Sequence, residues 1–408
     1  MYVGSLHLFE FILLLLFGFG MFVHLSGFFF ALWFYHKKAA KLPDEGPYPG
    51  ITVVKTCVGD RDGERENFDM LFHQDYPGEI QIIFTVPNTE CVANEIIDYY
   101  MERYPEADTM KVISNTRLAA HRKVDALYDA HPHIKHEYVL WADSDVIMRD
   151  NYLSEVVGAL MEPGNSLVTS PQFDYRVNNF ATALKAVGNN ADQCAIFMYY
   201  LFFIKRMRLA VGQMLAFKKS EFDEMADEIW STLRHFVVDD LGMPYLFDKH
   251  DKKVVFKNIY NPVEFKSKTL SEMFDQKKRH STCQIAGIGF RPLYALFPIS
   301  YAQLPATIWL LTHWWQPSAW LIFVSPFIIR TIHALLSEYL YLGSVKMTLR
   351  YFWTLPIWDV LQLYFVLSTV FAHKIYYHGR CYKLVNRYFL EEISPNVTQN
   401  DKELLQSR

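Results

Sequence analysis

Residues 8–35, LFEFILLLLFGFGMFVHLSGFFFALWFY, form an almost unbroken apolar run. A helix needs about 20 such residues to cross a hydrocarbon core of roughly 30 Å, so this chain must first of all provide for a membrane. Glu10 and His24 interrupt the run singly and do not cancel the signal. A cleaved leader is the alternative reading. Against it, the run is longer than the usual apolar leader core, no basic residue precedes it, and no small-x-small cleavage site stands out. A retained anchor over residues 1–36 fits better. His36, Lys37, Lys38 and Lys41 come directly after it, while the first ten residues hold no Lys or Arg. The positive-inside rule then places the N-terminus outside and the chain beyond residue 36 in the cytosol.

A mean hydropathy of +0.01 is too low for a chain that is all membrane and too high for an ordinary soluble enzyme, so the average hides two unlike parts. Hydrophobic residues at 51% against 21% charged exclude overall disorder, and 16% aromatics suit membrane interfaces. The formal charge of −4 leaves no basic excess for nucleic-acid binding. Cys57, Cys91, Cys194, Cys283 and Cys381 are scattered singly, with no CxxC pair. Neither a disulfide framework nor a structural zinc site is indicated, which suits a reducing cytosol.

The second membrane part begins after about residue 290. Segments near 293–315, 317–342 and 351–373 are apolar and aromatic, with Pro298, Pro305, Pro326 and Pro356 in or beside them. Such prolines suggest broken or re-entrant helices whose freed backbone groups other protein must cover. Arg330, His333 and Glu338 must face protein or a cavity if their segment spans. Three crossings would strand His373, Lys374, His378, Arg380 and Lys383 outside. Two crossings plus one re-entrant or interfacial segment within 291–375 keep the basic tail, 376–408, in the cytosol. The Asn396-Val397-Thr398 sequon would then stay unmodified.

Between the membrane parts, residues 50–290 alternate short β-branched runs with helix-compatible stretches. ITVVKTCV (51–58), IQIIFTV (80–86), MKVISN (110–115), EYVLWADSD (137–145) and SLVTSPQF (166–173) read as strands, and 62–74 and 90–103 as helices. The pattern predicts an α/β domain with a mainly parallel sheet, whose ligands sit beyond the carboxyl ends of the strands.

Polar groups ending those runs are therefore the ones that matter. The run 137–145 ends in Asp143-Ser144-Asp145, two carboxylates in a DXD spacing. Hard divalent cations such as Mg²⁺ or Mn²⁺ are commonly held by one or two carboxylates plus substrate phosphates. A bare DXD is a weak signal, and its place after a buried strand strengthens it. Asp239-Asp240 comes after another apolar run, either as a general base or as a pair capping a surface helix. Gln276-Lys277-Lys278-Arg279-His280 lies on an amphipathic helix before the second membrane part. Its donors suit a departing diphosphate, and its lysines equally suit membrane-flanking charge. Residues 194–204, CAIFMYYLFFI, with Lys205-Arg206-Met207-Arg208 directly behind them, read either as an interfacial segment or as a buried element of the domain.

In this order, between these membrane segments, the three elements resemble the ceramide glucosyltransferases. The resemblance runs from about Pro49 to Tyr388 and includes ITVVKTCVGD, Asp75-Tyr76-Pro77, Arg103-Tyr104-Pro105, RKVDAL (122–127), AVGQMLAFKKSEF (210–222) and HGRCYKL (378–384). It implies a nucleotide-sugar transferase domain of GT-A type embedded between N- and C-terminal transmembrane segments. Glucose would pass from UDP-glucose to the primary hydroxyl of ceramide with inversion, giving β-glucosylceramide. By the same resemblance Asp143 and Asp145 serve a divalent metal (Mg or Mn) and the donor diphosphate. Asp240 is the base, Gln276 and Arg279 hold the diphosphate, and Lys123 lies in the donor pocket. The catalytic domain faces the cytosol, from a Golgi membrane or a bacterial inner membrane.

Two positions depart from the family pattern. Val86-Pro87-Asn88-Thr89-Glu90 lacks the Asp that helps read uridine, so either Glu90 takes that part or the nucleotide is read differently. His280 replaces the Trp of QxxRW, at the acceptor end of the site. Transfer to another lipid or a growing polysaccharide, and a non-catalytic relative, are the competing readings.

Overall fold

The computed structural model describes residues 2–37, 40–57, 64–175, 177–203, 210–259, 262–264, 269–288, 302–370, 374–377, 380–385 and 389–393. Lys205-Arg206-Met207-Arg208, residues 293–301, His373, His378 and the Asn396 sequon lie outside them.

The N-terminal apolar run is one helix, α1 (Tyr2–Tyr35). The catalytic region then alternates as its sequence predicts: β1 (Ile51–Thr56), α2 (Glu64–Phe72), β2 (Ile80–Val86), α3 (Ala93–Arg103), β3 (Asp108–Ile113), α4 (Arg122–Ala130), β4 (Tyr138–Asp143), α5 (Tyr152–Met161) and β5 (Asn165–Thr169). After the short β6 (Phe173–Tyr175) come α6 (Phe180–Phe203), β7 (Met214–Lys218), α7 (Lys219–Asp223), α8 (Ala226–Leu233), α9 (Asp239–Lys249), β8 (Lys253–Phe256) and β9 (Pro262–Glu264).

Seven strands form the main sheet in the order β3-β2-β1-β4-β7-β5-β8. Every pairing is parallel except those of β7, which runs antiparallel to both β4 and β5. This is the expected mainly parallel α/β sheet. Its strands are apolar without strict alternation because both faces are covered. Val53 and Leu140 pack on the α2, α3 and α5 side, while their neighbours Val54 and Trp141 pack on the α4, α8 and α9 side. Connections leave β1 toward β2 and β3 in one direction and reach β4 on the other. The switch point of the sheet is thus the crevice between the ends of β1 and β4.

Helix α10 (Leu270–Ile288) leads to α11 (Gln303–His313), α12 (Pro317–Leu342), α13 (Lys346–Tyr351) and α14 (Leu355–Val370). Two helical stretches, His7–Tyr35 and Pro317–Leu342, are long and apolar enough to cross a membrane. They lie parallel: Phe28 meets His333 edge to face, and Tyr35 meets Tyr341 in the same way. Helix α11 runs back against α12, its Gln303 side chain donating to the Phe323 carbonyl and His313 reaching Glu10 of α1 at 3.3 Å. Arg330, His333 and Glu338 are all buried on α12, as a spanning helix requires. Helix α6 packs against α1 and α12 as well as α10 and α14, joining the domain to the membrane helices. Residues 194–203 thus continue a helix.

What the sequence reads as a tail contains a three-stranded antiparallel sheet, β10 (Lys374–Tyr377), β11 (Arg380–Leu384) and β12 (Leu390–Glu392). It docks on the catalytic region: the Leu390 amide donates to the His235 carbonyl at 2.7 Å, and Phe389 packs against Phe236.

Candidate active site

Strands β1 and β4 pair so that Thr56 and Asp143, their last residues, stand opposite each other. The DXD turn beyond β4 is held from below. Lys55, the one charged residue in ITVVKT, is buried beneath it and donates to the carbonyls of Asp143 at 3.0 Å and Val146 at 3.1 Å. Asn67 donates to the Ser144 carbonyl at 3.0 Å, and the Asp143 amide to the Gln213 carbonyl at 3.2 Å. These bonds occupy the backbone of the turn, so its carboxylates are presented on a rigid support.

Lys123, in the first turn of α4, sits across the crevice with its side chain only 10% exposed. Its ammonium lies 2.8 Å from Asp143 Oδ1 and 2.9 Å from Asp239 Oδ2, and donates to the Gly212 carbonyl at 2.7 Å. Burial works against this cation, and the two carboxylates more than offset it, holding it charged well above the ordinary lysine range. Helix α4 is itself placed by Asp125, which accepts from the amides of Leu118 and Ala119.

Asp239 and Asp240 open α9, so the capping alternative has their position right. They nevertheless turn inward. Asp240 Oδ1 is buried without a hydrogen-bond partner among the described residues. A Cβ added to Gly212 would lie 3.1 Å from Asp240 Oδ2, so the residue that lets the backbone approach this acid has no side chain. Burial first, then the Asp239 charge, push the Asp240 carboxyl up to about 7 against the pull of Lys123. A carboxyl so placed is half ionised near neutrality and suited to accept a proton.

Helix α10 passes the same opening. Its Cys283 packs with Val237, two residues before the Asp pair, and with Ala120 and Tyr382. Gln276 is half-buried, with Oε1 lacking a hydrogen-bond partner among the described residues, and Arg279 is exposed. His280, half-buried, is held well below the usual histidine range by burial and by the Arg279, Lys185 and Lys277 charges, so its ring is neutral.

The structure thus brings Lys123, Asp143 and Asp240 into one cluster, with Asp145 on the same turn and its charge acting on Lys185 of α6. Glu90 stands apart, exposed on the turn after β2, its amide bonded to the Asn88 side chain. Sequence reasoning passed over Asp239 as a partner of Lys123, and also Lys55, Gly212 and Lys185, and it read Lys277 only as a donor or a flanking charge. A lysine inside a strand otherwise of Ile, Thr and Val was the one available signal for Lys55.

A carboxylate-rich crevice at the switch point of a mainly parallel sheet defines an α/β protein whose ligand sits above β1 and β4. The model of glycosyl transferase family 21 matches residues 19–388, and the chain belongs to that family. Among curated relatives, ceramide glucosyltransferase 3 of Caenorhabditis elegans is 21% identical over 121 residues, 30% of this chain. Ceramide glucosyltransferase 1 of the same organism is 24% identical over 139 residues, 34% of this chain. The matched stretches span 26% and 29% of those relatives' own length. Among solved structures, mannosyltransferase PcManGT from Pyrobaculum calidifontis, in complex with GDP-Man and Mn²⁺, superposes with a TM-score of 0.48 at 15% identity, covering 86% of this chain and 98% of that one. Glucosyl-3-phosphoglycerate synthase from Mycobacterium tuberculosis does so with a TM-score of 0.37 at 16% identity, covering 59% and 78%.

Proposed function

We propose that this protein is an integral-membrane transferase moving glucose from UDP-glucose to the primary hydroxyl of ceramide, with inversion, to give β-glucosylceramide. The observation that carries the reading is Asp240, a buried carboxyl with a raised pKa and a free oxygen, beside the Lys123–Asp143 pair. The names of the curated relatives supply the lipid and the sugar.

A divalent cation, Mg²⁺ or Mn²⁺, fits the donor set. Asp143, Asp239 and Asp240 meet around the Lys123 ammonium, and Asp145 lies on the same turn with Lys55 beneath it and Lys185 nearby, a carboxylate-rich set whose negative charge a cation offsets in part. No group of three or more ligating side chains stands ready among the described residues, so Asp143 and Asp145 would hold the ion together with donor phosphate oxygens. Bound there, it would supply charge neutralisation for the diphosphate.

Each of the chain's own residues has a distinct part. Gln276 and Arg279 on α10 orient and neutralise the diphosphate from the opposite wall. Lys123 fixes the Asp143 side chain and, through Asp239, the start of α9. The acceptor oxygen attacks the anomeric carbon as the bond to the UDP oxygen breaks, and its proton passes to Asp240. Alignment of donor and acceptor supplies much of the acceleration. Glu90, on the rim after β2, is the acid left to read the base.

The acceptor arrives from the bilayer. Trp314, Trp315 and Trp320 are exposed near the Glu10 end of α1, and Trp33 near the other, where Lys37 lies over its ring at 3.6 Å. These aromatics suit the two membrane–water interfaces. The docking of β12 on the catalytic region supports a tail on the same side of the membrane as that region, with α12 long enough to cross and α11 and α14, 11 and 16 residues long, too short to do so alone. The catalytic domain then faces the cytosol. A second reading, transfer to a different membrane lipid, is favoured by the neutral His280 at the acceptor end.

The test is a transfer assay on detergent-solubilised protein with UDP-glucose or UDP-galactose, short-chain ceramide, and Mn²⁺, Mg²⁺ or EDTA. Glucosylceramide formed only with metal is the expected result. Folded protein that binds UDP but glycosylates no ceramide overturns the acceptor.

A further inference from the structure

Lys277 is a buried cation, 6% exposed, one residue from Gln276 on α10. Among the described residues no carboxylate lies within ion-pair distance of it. Its ammonium donates to Asn189 Oδ1 of α6 at 3.0 Å and lies 4.9 Å over the Trp358 ring of α14. An ammonium buried on an amide oxygen and an indole ring, with only the more distant Asp174 and Asp192 charges in its favour, is costly to desolvate. Stability alone therefore does not account for a lysine here.

The contacts of this lysine are informative. The Asn189 amide donates onward to Asp174 Oδ2 at 2.7 Å, and Asp174 Oδ1 lies 3.7 Å from the Lys185 ammonium, on which Asp145 of the DXD turn acts. On the other side, the Trp358 indole donates to Asp192 Oδ2 at 3.2 Å. Asp192 binds Arg330 of α12 through both oxygens at 3.0 Å, and Arg330 also binds Asp359. Gly188 permits this contact, since a Cβ there would lie 2.4 Å from the Trp358 ring. One buried polar line thus runs from the donor carboxylates, through Lys277, to the membrane helices.

We propose that Lys277 is a positioning residue for glycosyl transfer: by gripping Asn189 it sets the rotation and height of α10 so that Gln276 and Arg279 meet the donor diphosphate, in register with helices that bring the acceptor. The proposal rests on the donor reading above and adds the lock that holds the diphosphate wall in place. Lys277 acts through its neighbours and touches no substrate.

The experiment compares full-length wild type, Lys277→Met, Lys277→Arg, Asn189→Leu and the Lys277→Met/Asn189→Leu double variant, in detergent. UDP binding with Mn²⁺, donor KM and kcat, and thermal unfolding are measured for each. Lys277→Met is expected to stay folded, with an unfolding temperature lowered no more than that of Asn189→Leu, while weakening UDP and raising donor KM about tenfold, with kcat changed less than about threefold. Lys277→Arg restores donor KM to within about threefold of wild type. Asn189→Leu, which breaks the same contact from α6, reproduces the effect, and the double variant is no worse than either single. An unchanged UDP affinity in folded Lys277→Met overturns the proposal, as does a double variant whose losses multiply to about a hundredfold. Wild type that binds no UDP overturns instead the donor reading on which the proposal rests.

Discussion

Lys123 bridges Asp143 and Asp239 at the strand ends, and Arg330 bridges Asp192 and Asp359 among the helices. Each is a buried cation held by two acids, and the resemblance ends there. Arg330 is 2% exposed, and its planar fork takes both oxygens of Asp192, leaving one surplus charge in a sealed site. The Lys123 cluster carries two further acids, Asp145 and Asp240, and Asp143 remains 28% exposed at the crevice. The sealed triad has what it needs from the protein. The open cluster has an entrance, which leaves its acids accessible to a ligand. An ion pair is structural or chemical according to whether its surroundings seal it from solvent or leave it open to a ligand.

Four experiments press on this contrast, in order of expected effect. Asp240→Asn removes the base and is expected to lower kcat by about 10³-fold or more while UDP affinity holds. Near-normal turnover would take Asp240 out of the mechanism. Arg330→Met should leave turnover chemistry untouched per folded molecule but cost about 3–5 kcal/mol, because Asp192 and Asp359 are left buried and unneutralised. Unfolding measured in one lipid or detergent checks it, and adding Asp192→Asn and Asp359→Asn should restore most of the loss. A triad that tolerates Arg330→Met alone is not the closed cluster described here.

Asp145→Ala is expected to weaken Mn²⁺-dependent UDP binding by about tenfold or more, and EDTA should do the same to wild type. Equal affinity with and without metal would break the charge-balance argument. The smallest effect is on the pH profile. Asp240 must be unprotonated to accept a proton, so with its carboxyl raised to about 7, kcat/KM rises with pH and levels off above that value. Below it the loss is about tenfold per pH unit. A flat profile from mildly acidic to mildly basic pH would mean that the group is already ionised.

How legible each part was depends on whether the signal is local. The strands β1 to β5 lie where short β-branched runs predict them, because burial on both sheet faces demands such residues. Asp143 and Asp145 stood out for the same reason, as charges ending an apolar strand. The Asp239-Asp240 pair was ambiguous, since helix starts favour acids anyway, and only Gly212 and Lys123 across the fold show which way they turn. Lys277 read equally well as flanking charge. Its true neighbours, Asn189 and Trp358, lie on helices far away in the chain. The sheet β10–β12 was missed within a basic tail, because its docking partner Phe236 is more than a hundred residues upstream.

The sequence alone determined the periodic and the terminal features: a long apolar helix at each side, a parallel-type α/β domain between them, and acids at the end of a buried strand. These arise from hydrophobic patterning, which acts between neighbours along the chain. Tertiary structure alone decided which charges meet. Lys55 under the DXD turn, Lys123 between two acids, Lys277 on an asparagine and Arg330 clamped in the helices all carry the same single charge in the sequence. The roles differ because each cation's free energy depends on the solvent excluded around it and on partners brought near by folding.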